Sequence, residues 1–386
     1  MIVIHIIDYI VWGLMLVSCL YLLFFSILSL KKTKKIYPDT EKQFRYAVLF
    51  PAYKEDSVIV NSVSDFLRQT YPSDLYTIVV ISDKMEKSTN EELRQLPIIV
   101  FEVNFENSSK AKALNFAIDS LASEYFDSVV IMDSDNVVEP DFLEEVNKAF
   151  AAGEKAIQAH RVAKNMNTDV SVLDAVSEEI NNSIFRKGFS NMGFSATLSG
   201  SGMIFEYRWF KENIKKLISS GEDKEMEALL LQQGIHTAYL ENVYVYDEKT
   251  QKSKAFYQQR RRWLAAQYGT LFRTLKDFPK ALKSKNYDYC NKLIQWMMLP
   301  RLMLMGIVGL ITIVCTVISW EDAIKWWGVS AVLLLALLLA VPRKMWDGKV
   351  WRAIWRIPIL FVLMFANFFR MKNAYKNFSH TEHREV

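Results

Sequence analysis

The sequence has few cysteines, and their positions do not suggest a shared site. Cys19, Cys290 and Cys315 are the three cysteines of the 386-residue chain, and no two of them lie at the spacing of metal ligands. Disulfide frameworks and structural zinc sites both need closely paired cysteines. The sequence therefore disfavours both kinds of site.

The sequence also lacks the glycine-rich patterns that bind phosphate groups. Neither G-x-G-x-x-G nor G-x-x-x-x-G-K-[ST] occurs, which disfavours dinucleotide enzymes and P-loop nucleotidases. The formal net charge of +4 is too small to argue for nucleic acid, and the Lys and Arg clusters flank apolar segments. We therefore expect no nucleic-acid partner.

Apolar residues are concentrated at the two ends of the chain. From Ile10 to Leu30 the sequence is almost uninterruptedly apolar, which is long enough for one membrane-spanning helix. A cleavable signal peptide would carry its positive charge before this run, whereas here four lysines follow it, at 31, 32, 34 and 35. We therefore expect residues 1–35 to be a retained anchor that is followed by cytoplasmic residues.

The C-terminal region, residues 293–386, contains three more apolar stretches. Met297 to Trp320 and Trp327 to Val341 can each cross a bilayer. Ile357 to Phe369 is short and follows the Trp- and Arg-rich residues 346–356, a pattern that suits an interfacial helix at least as well. We therefore expect two to three C-terminal membrane helices in a multi-pass protein of the inner, or plasma, cell membrane.

Two details complete this interpretation of the C-terminal region. The basic residues 370–384 are expected to form a cytoplasmic tail, which gives three crossings in total. Buried core helices of a soluble protein are the alternative, but residues 329–341, VSAVLLLALLLAV, have no polar face. The lipid bilayer is thus an expected partner.

The middle of the chain, residues 40–290, has the pattern of an α/β domain. Short apolar runs at 46–53, 76–82, 97–103 and 127–133 are typical of strands that are buried on both faces. Amphipathic stretches, such as 56–69 and 110–122, lie between them. The alternation predicts βαβ units in a mostly parallel sheet with helices on both faces.

Polar residues follow several of these strands. In open α/β sheets ligands bind beyond the carboxyl ends of the strands, so residues at those positions are candidate ligand contacts. They are Pro51, Ala52, Tyr53 and Glu55 after the first strand, Ser82 and Asp83 after the second, and Asp133 and Asp135 after the fourth. Acidic residues at three strand ends predict a site for a cation and a nucleotide.

Asp133 and Asp135 are close enough in sequence to repel each other. A divalent cation is the usual partner of such a pair, although a solvated turn or a helix cap explains about half of Asp-x-Asp occurrences. Lys110, at the start of a predicted helix, is a candidate phosphate ligand, although on its own it would be interpreted as a surface charge. The two features together favour a nucleotide diphosphate with a metal ion.

Six short motifs occur along the chain: FPAYKE (50–55), ISD (81–83), KAKALN (110–115), DSD (133–135), GED (221–223) and QRRRW (259–263). In the same order, they resemble the motifs of the membrane-embedded family 2 glycosyltransferases, the group that contains cellulose, chitin and hyaluronan synthases. The resemblance covers nearly the whole chain. It implies a GT-A fold, which is a Rossmann-like nucleotide-sugar domain, and inversion at the anomeric carbon.

The resemblance also implies a role for each matched residue. Donor contacts would come from Pro51, Ala52, Tyr53, Glu55, Asp83, Lys110 and Asp133, and Asp135 with Asp133 would hold Mg²⁺ or Mn²⁺. Asp223 would be the catalytic base, and the acceptor or diphosphate contacts would be Glu222, Gln259, Arg262 and Trp263. Without the resemblance, residues 221–231 would be interpreted only as a helix with acids in its first turn.

The implied function is inverting transfer of a sugar from a nucleotide sugar, UDP-linked, to a growing glycan at the inner face of the membrane. The Gln-x-x-Arg-Trp match favours this processive reaction, whereas the small membrane region favours a single addition to a lipid-linked acceptor. A third alternative is a catalytically silent nucleotide-sugar-binding subunit of a synthase complex, with other synthase subunits as partners.

Overall fold

The computed structural model of the chain describes residues 2–33, 37–121, 125–217 and 221–370. Eight strands form one sheet. They are β1 (Tyr46–Tyr53), β2 (Tyr76–Asp83), β3 (Ile99–Val103), β4 (Ser128–Ile131), β5 (Val137–Val138), β6 (Ala156–Ala163), β7 (Met203–Glu206) and β8 (Thr237–Asp247).

Helices precede, connect and follow the strands. They are α1 (Ile2–Ser29), α2 (Ile59–Phe66), α3 (Lys87–Leu93), α4 (Lys110–Ser120), α5 (Phe142–Ala151), α6 (Asp169–Asn181), α7 (Phe189–Met192), α8 (Tyr207–Ile214), α9 (Glu222–Gln232), α10 (Ser253–Thr274), α11 (Phe278–Lys283), α12 (Tyr287–Met297), α13 (Arg301–Ile318), α14 (Trp320–Ala340), α15 (Gly348–Ile354) and α16 (Ile357–Phe369). A π-helix, Asn182–Gly188, continues α6, and single 3₁₀ turns occur at Leu275–Asp277 and Arg343–Met345.

The strand order is β3-β2-β1-β4-β7-β6-β8-β5. The first four strands of this order run parallel, with Tyr53 level with Asp83 and Leu49 level with Ile131. The chain passes from β1 to β2 on one side and later returns to β4 on the other side, so β1 and β4 flank a topological switch point. Ligands of open α/β sheets bind at such a point, beyond the carboxyl ends of the strands.

The strand predictions agree with β1 to β4 to within two residues at each end. The mixed α/β class with a mostly parallel sheet is confirmed. Burial on both faces is correct for β1, β2 and β4, but it is wrong for β3, which is only partly buried. The reason is position, because β3 is an edge strand and has a neighbour on one side alone.

Two apolar layers cover the two faces of the sheet. Val48 and Phe50 of β1 pack in the layer that contains α2 and α5, whereas Ala47 and Leu49 pack in the layer of α4 and α8. Alternate residues of a strand point to opposite faces, so a continuously apolar strand supplies both layers. This packing fixes the strand ends that carry the candidate site.

Three of the described helices are long and apolar enough to cross a membrane. These candidate spans are His5–Ser29 within α1, Arg301–Ile318 and Trp320–Ala340. A fourth would require α15 and α16 to act as one broken span, since they are bent by 52° relative to each other. The predicted cytoplasmic tail, 370–384, lies outside the described residues beyond Arg370.

The candidate spans pack together and against the α/β domain. Leu22 of α1, Leu304 of α13 and Leu333 of α14 share an apolar cluster with residues of α6 and of the π-helix. At Gly188, the last residue of the π-helix, a Cβ would overlap the carbonyl oxygen of Phe25. A glycine is thus what allows α1 to approach the domain so closely.

The predicted division between residues 290 and 293 falls inside α12. Lys292 of α12 is buried and lies 3.0 Å from a carboxylate oxygen of Glu227 in α9. Tyr289 and Leu293 pack in a cluster with α9 and α10. By its packing, therefore, α12 goes with the α/β domain.

Candidate active site

A cavity of about 650 Å³ opens at the carboxyl ends of β1, β2 and β4 and extends to the C-terminal helices. It is lined by all of the residues to which the family resemblance gave a role. These are Pro51, Ala52, Tyr53, Glu55, Asp83, Lys110, Asp133, Asp135, Glu222, Asp223, Gln259, Arg262 and Trp263. Ser82, the other strand-end candidate, does not line the cavity, because its buried hydroxyl donates to the Asn90 side chain at 2.6 Å. Residues that are as much as 212 positions apart in sequence, Pro51 and Trp263, thus meet at one site.

One wall of the cavity is formed where β1 and β2 end. The carbonyl oxygen of Pro51 accepts a hydrogen bond from the Ser134 hydroxyl at 3.1 Å, which connects the end of β1 to the Asp-x-Asp loop. Asp83 is buried, and its carboxylate accepts the backbone N–H of Phe105 at 3.3 Å. Tyr53 also lines the cavity beside them.

Lys110 and Asp133 form an ion pair in the cavity. Lys110 also donates to the carbonyl oxygen of Gly200 at 2.7 Å and lies 4.0 Å from a carboxylate oxygen of Glu222. Burial lowers the pKa of this lysine, but the charges of Asp133 and Glu222 outweigh burial and raise it above its usual value. Lys110 is therefore a firmly charged cation at the N-terminus of α4, where an anion is also favoured by the helix dipole.

Asp135 is held differently, because it is only 4% exposed. Its oxygens accept the backbone N–H of Glu248 at 2.6 Å and the side-chain amide of Asn136 at 3.3 Å. Among the described residues it has no Lys or Arg partner. Nearby, Asp247 has a pKa raised to about 6, mainly by burial and also by the charge of Asp135, although Arg161 acts in the opposite direction.

This arrangement fits a divalent cation. A buried carboxylate without a basic partner is costly, and hard carboxylate oxygens are the ligands that Mg²⁺ and Mn²⁺ prefer. Across the described parts of the chain there is no group of three or more His, Cys, Asp or Glu side chains placed to hold a metal ion. An ion held by Asp135 and Asp133 would complete its coordination with water or with oxygens of a bound molecule.

The first turn of α9 brings two more carboxylates to the cavity. Asp223 lies 3.0 Å from the ammonium group of Lys224, which also donates to the carbonyl oxygen of Leu198 at 3.1 Å. Burial raises the pKa of Glu222 to about 7, against the opposing charge of Lys110 and with a further contribution from Asp223. The acids therefore begin a helix, as the local pattern alone predicted, and they also face the cavity.

The N-terminal half of α10 provides the wall opposite the sheet. The side-chain oxygen of Gln259 accepts the Thr250 hydroxyl at 3.3 Å. Burial lowers the pKa of Arg262, while the negative charges of Glu222 and Asp133 act in the opposite direction. The guanidinium carbon of Arg260 lies 4.3 Å from the centroid of the Trp263 ring, in cation–π geometry.

Sequence reasoning missed a buried charge network, most of whose members line the same cavity. Glu178 lies 2.7 Å from Arg186, 3.2 Å from Arg161 and 3.8 Å from Lys249, and Asp247 lies 2.7 Å from Lys249. Asp247 could have been found by the strand-end rule, since β8 ends there. The other members come from separate elements, and no sequence pattern connects them.

One family model and several solved structures are similar to this chain. Residues 43–266 match the model described as "Glycosyltransferase like family 2". The mannosyltransferase PcManGT from Pyrobaculum calidifontis, solved in complex with GDP-Man and Mn²⁺, superposes with a TM-score of 0.55 at 16% identity. The match covers 88% of this chain and 99% of that one.

TarS from S. aureus is also similar. Its residues 1–349 give a TM-score of 0.42 at 15% identity, covering 86% of this chain and 90% of that one. A longer TarS structure gives a TM-score of 0.43 at 15% identity, and the match covers 86% of this chain and 54% of that one. No curated protein sequence matches the chain. The similarity to PcManGT shows a shared GT-A fold.

Proposed function

The chain belongs to the glycosyltransferase-like family 2, and from this membership we propose that it transfers a sugar from a nucleotide sugar, UDP-linked, to an acceptor at the inner face of a cell membrane. The observation that carries the proposal is the convergence of the predicted donor, metal, base and acceptor residues on one cavity. That cavity lies at the switch point of the sheet, where nucleotides bind in this class of fold.

The donor would lie along the ends of β1, β2 and β4. Tyr53 and Asp83 would contact the nucleoside, and Asp133 the ribose or the sugar. Lys110 and Arg262 carry positive charge into the same cavity, where the leaving diphosphate must be neutralised. Pro51 and Ala52 shape the backbone of this wall, and the buried Glu55 also lines the cavity.

Asp135 and Asp133 would hold Mg²⁺ or Mn²⁺. Such an ion supplies Lewis-acid neutralisation of the diphosphate charge that develops as the glycosidic bond breaks. Since Asp135 is buried without a basic partner, we expect the ion and the donor to bind together. PcManGT, with the same fold, was solved with GDP-Man and Mn²⁺, which supports this expectation.

Asp223 would act as the base. Its carboxylate takes the proton of the acceptor hydroxyl, the acceptor oxygen bonds to the anomeric carbon, and the nucleoside diphosphate leaves from the opposite face. This displacement inverts the anomeric configuration. Glu222 would help to place the acceptor and the diphosphate, together with Gln259.

Two acceptors remain in competition, a growing glycan and a lipid-linked acceptor. Trp263 offers a flat face to a sugar ring in either case. Synthase-like processivity is favoured by the Gln-x-x-Arg-Trp motif. The lipid-linked acceptor is favoured by the cavity itself, because it continues between apolar side chains of α13, α14 and α16, such as Met305, Leu337 and Leu360.

We further propose that α1, α13 and α14 cross the inner, or plasma, membrane. Lys31 and Lys32 follow α1, and basic residues at this end favour the cytoplasmic side. The α/β domain would then face nucleotide sugars in the cytoplasm. Exposed apolar residues on these helices, such as Leu14, Ile313 and Leu335, would lie against lipid.

Nucleotide release from purified full-length protein tests the enzymatic proposal. UDP-sugars and GDP-mannose are offered with Mg²⁺, with Mn²⁺ or with a chelator. We expect metal-dependent release from one donor class, and Asp223→Asn should lower turnover by about 10²–10⁴-fold while donor binding persists. Glu222→Gln is the matched comparison, since collapse in that variant alone would assign the base to Glu222.

The same assay separates the enzyme from a silent subunit. A subunit that only binds the nucleotide sugar would bind a donor without releasing nucleotide under any metal condition. Donor binding measured by calorimetry with no release, for every donor offered, would contradict catalysis.

A further inference from the structure

Two arginines line the part of the cavity that lies between the α/β domain and the C-terminal helices. They are Arg260 of α10 and Arg301, the first residue of α13. Arg262, two residues from Arg260, faces the acidic residues of the donor side. Residues two apart do not share a helix face, so Arg260 and Arg262 serve different parts of the cavity.

Both arginines are held by one face of α6. Arg260 forms an ion pair with Asp174. One terminal nitrogen of Arg301, Nη2, donates to the Ser177 carbonyl at 3.0 Å and to the Asn181 side chain at 2.8 Å. Positions 174, 177 and 181 recur at helical spacing, so α6 fixes both guanidinium groups in orientation.

Each guanidinium keeps an unused donor. Within the described residues, Nε of Arg260 and Nη1 of Arg301 are buried and have no hydrogen-bond partner. Buried polar groups are nearly always paired, so an unpaired donor on each of two arginines that line one cavity points to a missing acceptor. Two cations with one carboxylate contact, Asp174, also leave positive charge, which favours an anion.

Beyond these arginines the cavity walls become aliphatic. Met305 of α13, Leu334 and Leu337 of α14, Leu360 and Met364 of α16 line this part. Sugar hydroxyls would lose their hydrogen bonds against such walls, whereas an alkyl chain would be favourably buried. Leu334, which lines this part of the cavity, is also 59% exposed on the surface of the candidate spans.

We propose that Arg260 and Arg301 bind the phosphate of a lipid-linked acceptor, with its alkyl chain along α13, α14 and α16. This inference rests on the proposed function and names its acceptor class. The phosphate would join the alkyl chain to the acceptor sugar. Arg260 stacks on Trp263, so a phosphate at the arginines places that sugar beside the Trp263 ring.

Binding of a long-chain polyprenyl phosphate to the full-length protein in detergent micelles tests the proposal without any donor. The comparison ligands are the polyprenol of the same length and inorganic phosphate. We expect the lipid phosphate to bind at least about tenfold more tightly than either, since charge-assisted hydrogen bonds and chain burial each contribute. If polyprenol bound as tightly as polyprenyl phosphate, the phosphate site would be refuted. If inorganic phosphate bound as tightly as polyprenyl phosphate, a contribution of the alkyl chain to binding would be refuted.

Variants assign the site. Arg301→Gln and Arg260→Gln should each weaken lipid phosphate binding by about tenfold and leave polyprenol binding unchanged. Arg261→Gln is the matched control, because Arg261 is on the same helix but does not line the cavity. Unchanged lipid phosphate affinity in both glutamine variants would overturn the proposal.

Two further measurements distinguish loss of the lipid phosphate site from misfolding and from failure of the proposed function. Arg260→Gln leaves Asp174 unpaired, so Arg260→Gln with Asp174→Asn keeps the buried charge balanced and should show the same loss. Donor binding in each variant reports on folding. Nucleotide release without selective lipid phosphate binding would overturn this inference alone, whereas lipid phosphate binding without nucleotide release from any donor would overturn the proposed function alone.

Discussion

Asp133 and Asp135 lie one residue apart, yet their surroundings divide their roles. The Asp133 side chain is 35% exposed and is paired with Lys110. Asp135 is buried, and within the described part of the chain its hydrogen bonds come from the neutral N–H donors of Asn136 and Glu248. Its charge is thus poorly compensated, and a cation that arrives with the donor would relieve it.

Asp135→Asn is expected to abolish metal-dependent donor binding, with at least about a tenfold loss in affinity. The protein should stay folded, because Asn has the same shape and its oxygen can still accept the Glu248 N–H. Calorimetric titration of the donor with and without metal measures the effect. Asp141→Asn, at an exposed position outside the cavity, is the control. Unchanged donor affinity in Asp135→Asn would exclude the metal role.

Glu222 should give the free protein a pH-dependent stability. Its pKa is raised from 4.5 to about 7, chiefly by burial. Between those values the folded protein binds more protons than the unfolded chain, so the free energy of unfolding falls as pH rises through this window. Without nucleotide, the wild-type melting temperature should fall between about pH 5 and about pH 8, and the fall should be smaller in Glu222→Gln. If the melting temperatures of wild type and Glu222→Gln fell equally with pH, the raised pKa of Glu222 would be contradicted.

At the scale of elements, α10 combines a donor side and an acceptor side on one helix. Arg262 faces the acidic residues, whereas Trp263 and Arg260 stack together toward the C-terminal helices. The Gln-x-x-Arg-Trp motif thus relies on the continuous helix α10 to direct Arg262 and Trp263 to different parts of the site. A break within α10 would separate the two halves of the site.

Trp263→Ala is expected to uncouple nucleotide release from transfer to the acceptor. The aromatic face would no longer hold the acceptor sugar, so donor hydrolysis by water should persist while product falls or shortens. Trp263→Phe should retain transfer, because it keeps a flat ring. Product length and free nucleotide are measured together. Products of unchanged length from Trp263→Ala would refute stacking, and one added sugar per wild-type product would refute processivity.

Gly306 allows α13 and α16 to approach each other closely. A Cβ at this position would overlap the Phe361 ring of α16. Gly306→Ala is therefore expected to lower stability by about 1–3 kcal/mol through overpacking. Gly309→Ala on the same helix is the matched control, since nothing lies within 4 Å of its Cβ position. Equal melting temperatures for the two variants would show that α16 adjusts without cost.

At the scale of the whole molecule, one cavity connects the sheet to the candidate spans. It reaches from Asp83 at the end of β2 to Leu334 in α14. A soluble donor and a membrane-borne acceptor could thus enter from different sides. The orientation of the chain in a membrane decides whether this geometry serves such a reaction.

If the chain crosses three times, as we propose, the turn between α13 and α14 would lie outside the cell and the α/β domain inside. Glu321→Cys, in the exposed first turn of α14, should react with an impermeant maleimide in intact cells. Glu212→Cys, exposed on α8, should react only after lysis. A cysteine near residue 380 should also be protected, and its labelling from outside would favour four crossings. Protection of Glu321→Cys in intact cells would reject the proposed orientation.

Much of the site was predictable because its chemistry is local in sequence. The ends of β1, β2 and β4 could be located from apolar runs followed by Pro51, Asp83 and Asp133. The partners of these residues could not, because Lys110 pairs with Asp133 across 23 positions and Glu248 bonds to Asp135 across 113. Such contacts depend on strand order, which residue patterns leave open.

The sequence by itself indicated the α/β class and the apolar helices, and its resemblance to a family supplied the candidate site residues. Apolar periodicity and residue type are properties of short segments, so they can be read without the fold. Only the tertiary structure decided that Asp135 is buried without a basic partner and that α6 orients Arg260 and Arg301 in one cavity. Burial and pairing depend on what surrounds a side chain from every direction, and those neighbours come from segments that meet only when the chain folds.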